Sequence, residues 1–178
     1  MKIAAAQRNL SLYDLADKRV EAIATQLRGA GLLPKGGRGP YAPDANEVEI
    51  ALFTIAVGAG GKVADAVETA MGLAKTVDAD GLQLLKVLAH AVSDTDKAHS
   101  IQCVYLFPGR PMARMALRDG LTRHFFAPAH WTAHGFNPDA QGQAFAGPIG
   151  FIGGAVLDQM ALDFAQNQPA GDDAGELS

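Results

Sequence analysis

Lys18 to Asn46 reads KRVEAIATQLRGAGLLPKGGRGPYAPDAN, and how this stretch divides sets the division of everything after it. Val20, Ile23, Ala24 and Leu27 recur at i, i+3, i+4 and i+7, which lays one apolar stripe along a helix. The same helix leaves Arg19, Ala22, Thr25, Gln26 and Arg28 to solvent or a partner. Gly29 and Gly31 stop it. After the short apolar pair Leu32-Leu33, residues 34–41 (PKGGRGPY) hold too much Gly and Pro for a helix or a central strand, so an exposed loop carrying Lys35 and Arg38 is expected. Asp44 then stands as an N-cap with Glu47 three residues on, the spacing of a capping box.

That order of helix, Gly31-Leu32-Leu33-Pro34, basic glycine loop, Tyr41, acidic cap and new helix resembles the winged helix-turn-helix of MerR-type regulators and excisionases. It also resembles the N-terminal module of some tailed-phage small terminase subunits. The resemblance rests on Val20, Leu27, residues 31–34 and the loop through Tyr41, and it covers the first third of the chain. The expected preceding helix, Ser11 to Asp17, is short, and Lys18 and Arg19 replace the small residues usual at the turn. The resemblance implies binding of double-stranded DNA without catalysis or cofactor, in a phage or prophage setting. The role would be that of a transcriptional or recombination regulator, or of a DNA-packaging subunit. The contacts implied are Arg19, Ala22, Thr25, Gln26 and Arg28 on the helix, with Lys35, Arg38 and Tyr41 from the wing. Residue by residue, the same stretch also fits an ordinary helical hairpin with a glycine-rich loop.

Charge distribution agrees with a basic module on an acidic body. The chain carries 15 Lys and Arg against 19 Asp and Glu, a net charge of −4. The first forty residues hold seven basic and three acidic side chains, so +4 sits there and −8 beyond. Hydrophobic residues at 48% exclude a largely disordered chain. The lone Cys103 excludes an internal disulfide. No signal peptide is visible, and the longest apolar run, Ile149 to Leu157, falls short of a bilayer span, so a cytoplasmic protein is expected.

Beyond the first 57 residues, which are expected to form the DNA-binding module, residues 58–165 read as a helical body. Asp44 to Val57 is apolar on more than one side. Lys62 to Lys75 follows the GAGG break, with Val63, Ala66, Val67, Ala70 and Ala74 facing inward. Gly60-Gly61-Lys62 fails as a phosphate loop, because the glycine spacing is wrong and Val63 follows the lysine. Leu82 to Val92 is the most apolar helix, and between Ser93 and His99 the pattern shifts from helical to strand-like. Ile101 to Phe107, Met112 to Arg118 and Leu121 to Phe126 give a three-stranded antiparallel meander, with Asp119-Gly120 as a two-residue hairpin turn.

That turn would set Arg118 opposite Leu121, Ala116 opposite Arg123 and Arg114 opposite Phe125. Arg114, Arg118 and Arg123 would then share one face, either a second nucleic-acid surface or a merely solvated one, while Met115, Leu117, Thr122, His124 and Phe126 pack inward. Ala127 to Gly147 reads as a long loop anchored by Trp131, Phe136 and Phe145. His130 and His134 have the spacing of helical metal ligands, but Pro128, Gly135 and Pro138 deny them the helix, so no metal site is expected. Ile149 to Phe164 reads as a closing helix, and residues 166–178 as a flexible acidic tail. The fold expected is thus mainly α with a small antiparallel β meander (α+β). Surplus apolar surface on Leu82 to Val92 and Ile149 to Phe164 predicts a homo-oligomer. A different class stays open, a structural or adaptor protein that meets a protein partner through its acidic body and C-terminal region.

Overall fold

A computed structural model describes residues 1–11, 17–35, 43–128, 131–132, 135–136 and 149–167, the two dipeptides by backbone alone. Its centre is helix α3 (Glu47–Gly58), in which nine consecutive residues from Ile50 to Gly58 are buried. A helix buried all round needs neighbours on every side. They are α1 (Ile3–Ser11), α2 (Asp17–Gly29), α4 (Ala66–Ala74), α5 (Leu84–Ser93) and strand β6 (Gly150–Gly153). Inside the helix, the Thr54 hydroxyl donates back to the Ile50 carbonyl at 2.8 Å, which lets a polar side chain sit in an apolar core.

The start of α3 corrects the expected cap. Asn46 caps it: its side chain accepts from the Glu49 N–H at 2.9 Å, and Glu49 Oε2 accepts from the Asn46 N–H at 2.8 Å. Asp44 lies outside the helix and pairs with Lys2 Nζ at 3.2 Å. Both candidate boxes have the required spacing, and pairing of the Met1–Lys2 backbone with Asp44 and Ala45 holds residue 44 extended.

A 3-10 turn (Val63–Asp65) leads into α4, after which Asp78 organises a tight turn. Its Oδ1 accepts from the Asp80 and Leu82 amides at 3.1 and 2.9 Å, and Gly81 takes the left-handed conformation the turn requires. Leu82 therefore belongs to the turn and α5 begins at Leu84. The segment from Ser93 to His99, across which the pattern shifts from helical to strand-like, holds a short helix, α6 (Thr95–Ser100). Asp94 makes it by accepting from the Asp96 and Lys97 amides at 2.9 and 3.1 Å, and the Lys97 N–H chiefly holds its carboxyl below the ordinary aspartate range.

The expected meander of three strands is a four-stranded antiparallel sheet in the order β3-β2-β1-β6. It comprises β1 (Ile101–Phe107), β2 (Met112–Leu117), β3 (Thr122–Phe126) and β6. The fourth strand comes from the front of the expected closing helix, which begins only at Gly154 as α7 (Gly154–Gln166). Two short strands, β4 (Trp131–Thr132) and β5 (Gly135–Phe136), pair with each other in the segment expected to be a loop. Phe145 and the acidic residues of the 166–178 segment lie outside the described residues.

The hairpin register is one residue away from the expected one: Ala116 faces Thr122, Met115 faces Arg123 and Arg114 faces His124. Three residues, not two, make the turn. The Leu117 amide donates to the Leu121 carbonyl at 2.9 Å and Gly120 sits at φ 88°, the pattern of a turn closed by a left-handed glycine. A one-residue slip exchanges the faces. The buried face is therefore Val104, Leu106, Ala113, Met115, Phe125 and Ile152, and the opposite face carries Tyr105, Arg114, His124 and Phe151.

Helix α7 packs on β1, β6, α5, α6 and α1, so one chain buries most of the apolar surface expected to need a second subunit. Of the large hydrophobic side chains in those two stretches, Leu82 in the turn before α5, Ile149 and Phe151 at β6 and Leu162 on α7 stay exposed. One hydrophobic cluster joins residues on both sides of the expected boundary at Val57, from Met1 to Phe164. Among the described residues no helix is long and apolar enough to cross a membrane.

Backbone contact between β6 and the end of α3 is close. A Cβ at Gly150 would be driven into the Gly58 carbonyl oxygen and the Ala59 backbone, atoms that no side-chain rotation can move aside. Gly150→Ala should therefore destabilise the fold by about 1–3 kcal/mol, the usual cost of forced overpacking. Urea denaturation checks this, and an unchanged midpoint would show that β6 can shift away from α3.

Candidate nucleic-acid interface

Helix α2 forms where its stripe requires, with Val20, Ile23, Ala24 and Leu27 at 0–1% exposure. Its C-terminus is a Schellman motif. The Leu32 amide donates to the Leu27 carbonyl at 2.9 Å, the Gly31 amide to the Arg28 carbonyl at 3.1 Å, and Gly31 takes φ 74°. Leu33 is buried at 2% and anchors the chain, which then leaves the core with Lys35 exposed. Arg38 and Tyr41 lie outside the described residues.

The outward face differs from the expected one. Lys18, Glu21, Thr25 and Gln26 are exposed, whereas Arg19, Ala22 and Arg28 are half-buried. Nine positions separate Arg19 from Arg28, which at 3.6 residues per turn puts them about 180° apart, one on each flank of the buried stripe. Arg19 with Gln26 and Arg28 with Thr25 thus occupy opposite sides, and Lys18 sits near the middle of the open face. Arg19 Nη2 is shielded from water and has no hydrogen-bond partner. Thr25 turns its hydroxyl back to the Glu21 carbonyl at 3.0 Å. Lys18, which the sequence pattern presents only as an irregularity at the turn, is placed outward by its helical angle.

Among the described residues, Lys18, Arg28 and Lys35 make no ion pair. The three arginines of the sheet contrast with them. Arg118 pairs with Asp158 of α7 at 2.9 Å, and Arg123 pairs with the buried Asp78. Arg114 stands on the other face of the sheet from Arg123, its guanidinium carbon 5.8 Å from the centre of the Tyr105 ring. The second basic face is therefore not assembled: its members point to different places and two are held by carboxylates.

Comparison of the chain with protein-family models, curated proteins and solved structures returns no match.

His124 lies opposite Arg114, its ring parallel to Phe126 with centroids 6.2 Å apart. His130 and His134 lie outside the described residues. Partial loss of water pushes the His124 pKa below the ordinary histidine value, and the Arg114 charge adds to the shift. The imidazolium is thus disfavoured in the folded chain, so the contribution of this contact is full above the ordinary histidine value and falls away as the pH drops below it.

Two outcomes follow from this geometry. Gly31→Ala should destabilise by about 1–2 kcal/mol, the strain of a left-handed residue with a Cβ, and thermal unfolding reads it; no change would mean that the C-terminus of α2 can re-form without the Schellman geometry. Arg114→Gln should move the His124 titration midpoint upward in an NMR pH series, and a static midpoint would assign the whole shift to burial.

Proposed function

We propose that this protein binds double-stranded DNA, without catalysis, through the open face of α2 and the basic segment that begins at Lys35. The observation that carries this reading is the contrast in pairing just described. Arg118 and Arg123 of the sheet are neutralised by Asp158 and Asp78 and Arg114 lies over the Tyr105 ring, while among the described residues Lys18, Arg28 and Lys35 make no ion pair. Unpaired cations at the two ends of a rigidly docked helix and just beyond it offer a polyanion counterion release with little to break first. The sequence-wide balance points the same way, with +4 in the first forty residues against −8 beyond.

On this reading Gln26 supplies base discrimination, since its amide is exposed and can pair with adenine in the major groove. Thr25 contributes less than Gln26, because its hydroxyl is engaged by the helix backbone. Lys18, Arg28, Lys35 and Arg38 serve as phosphate contacts, and Arg19 joins them only if it turns out of its shielded position. A regulator acting on paired half-sites needs a dimer, and a packaging subunit needs a ring, so the oligomeric state separates the two roles.

Affinity for duplex DNA should fall steeply with salt, with a log–log slope of about −0.9 for each phosphate neutralised. Lys18→Ala and Lys35→Ala should each flatten the slope by about that amount, while Gln26→Ala relaxes sequence preference more than it weakens binding. Absence of binding at low ionic strength ends the DNA reading. Slopes unchanged by both lysine substitutions, with binding intact, would place the interface elsewhere.

A further inference from the structure

A groove of about 480 Å³ opens between helix α5, helix α6 and the buried face of the sheet near its β2–β3 edge. Its volume falls in the range of small-molecule sites, about 300–1,000 Å³. The floor is apolar: Val87 on α5 faces Met115 and Leu117 on β2. The rim is basic, with Lys86 on α5, Lys97 on α6 and Arg123 on β3, and His90 stands one turn from Lys86; among the described residues no carboxylate lines the groove.

Three nearby acids are already engaged. Asp78 and Asp80 lie against Arg123, and Asp94 lies 3.6 Å from His90. Lys86 and Lys97 make no ion pair among the described residues, and both side chains are exposed. Asp78 is 4% exposed and is tied to two backbone amides as well as to Arg123, so that end of the groove is fixed by the same turn that starts α5. An apolar trough with two free ammonium groups at its mouth suits a ligand with an apolar body and an anionic head. The body displaces water from Leu82, Val87 and Leu117, above the buried Met115, and the head neutralises the lysines.

We infer that this groove binds a small amphipathic anion, an apolar chain or ring bearing one carboxylate or phosphate, with Lys86 and Lys97 holding the head group. The site is separate from the open face of α2 and stands or falls independently of DNA binding.

Isothermal titration of the full-length chain tests it with four ten-carbon probes below their micellar concentrations: decanoate, decyl phosphate, decanol and decyltrimethylammonium. Saturable binding of one decanoate or decyl phosphate per chain is expected, at least tenfold tighter than decanol or the cationic probe. A preference for one anion over the other identifies the head group. The double variant Lys86→Glu/Lys97→Glu should weaken anion binding at least tenfold with an unchanged unfolding temperature, since both side chains are exposed. Val87→Trp, which fills the groove from α5, should abolish binding of both anions while leaving the far-UV circular dichroism intact. Equal binding of the cationic probe, no saturable binding of either anion, or full affinity in the charge-reversed variant would each overturn the assignment.

Discussion

Burial of α3 on every side is the constraint on which the rest of the chain depends. A segment with Ile50, Leu52, Phe53, Ile55 and Val57 spread around its circumference cannot present a polar face to water, and burying each such side chain fully contributes about 1.5–3 kcal/mol. The neighbours must therefore surround it: α1 and α2 from one end of the chain, α4 and α5 from the middle, β6 from near the other end. Contacts of this reach fix the order of assembly in space. The last strand lies beside α3 because Gly150 leaves room for the Gly58 carbonyl and the Ala59 backbone, and Gly58 leaves room for the Ile152 side chain. Through α3 the position of α2, and hence of the proposed DNA-facing surface, is coupled to the sheet.

What could be read in advance was what local pattern controls. The apolar stripe of α2, the two-sided burial of α3, the glycine break after it and the residues of β1 to β3 all follow from periodicity within a few residues. The errors arose where two local devices competed within a short span. Asp44 and Asn46 each have a glutamate three residues later, and only the pairing of Lys2 with Asp44, forty-two residues away in sequence, decides that Asn46 caps the helix. In Ile149 to Phe164 a strand of four residues runs straight into a helix, and the apolar spacing of the helix masks the strand before it.

The hairpin register had larger consequences, because the side-chain period of a strand is two. Asp119-Gly120 has the composition of a two-residue turn, but Gly120 occupies the left-handed closing position of a three-residue one, with Asp119 Oδ1 accepting from the Leu121 amide at 2.9 Å. Shifting the partner of every β3 residue by one turned Phe125 into the core and His124 out of it. It also separated Arg114 from Arg123, and with them the basic face that the other register would have built. Composition located the turn; the conformation of one glycine decided which chemistry each face carries.

Cations in this protein fall into two populations, and the difference is physical. Arg118 and Arg123 sit where helices and turns bring Asp158 and Asp78 to meet them, and Asp78, nearly sealed from water, would carry an uncompensated charge without Arg123 and its two backbone donors. Those arginines serve the fold. Lys18 and Lys35 at the first surface, and Lys86 and Lys97 at the groove, are exposed and make no ion pair among the described residues, so attraction to a partner there costs no internal pairing. The two surfaces differ in what lies beneath the charge. Under α2 the stripe is sealed by the core at 0–1% exposure, which leaves only a polar outer surface for a polyanion to meet. At the groove Leu82 is exposed and Val87 and Leu117 are half-buried, so an anion with an apolar body gains from burial as well as from charge, and a ligand without one forfeits the burial part of that gain.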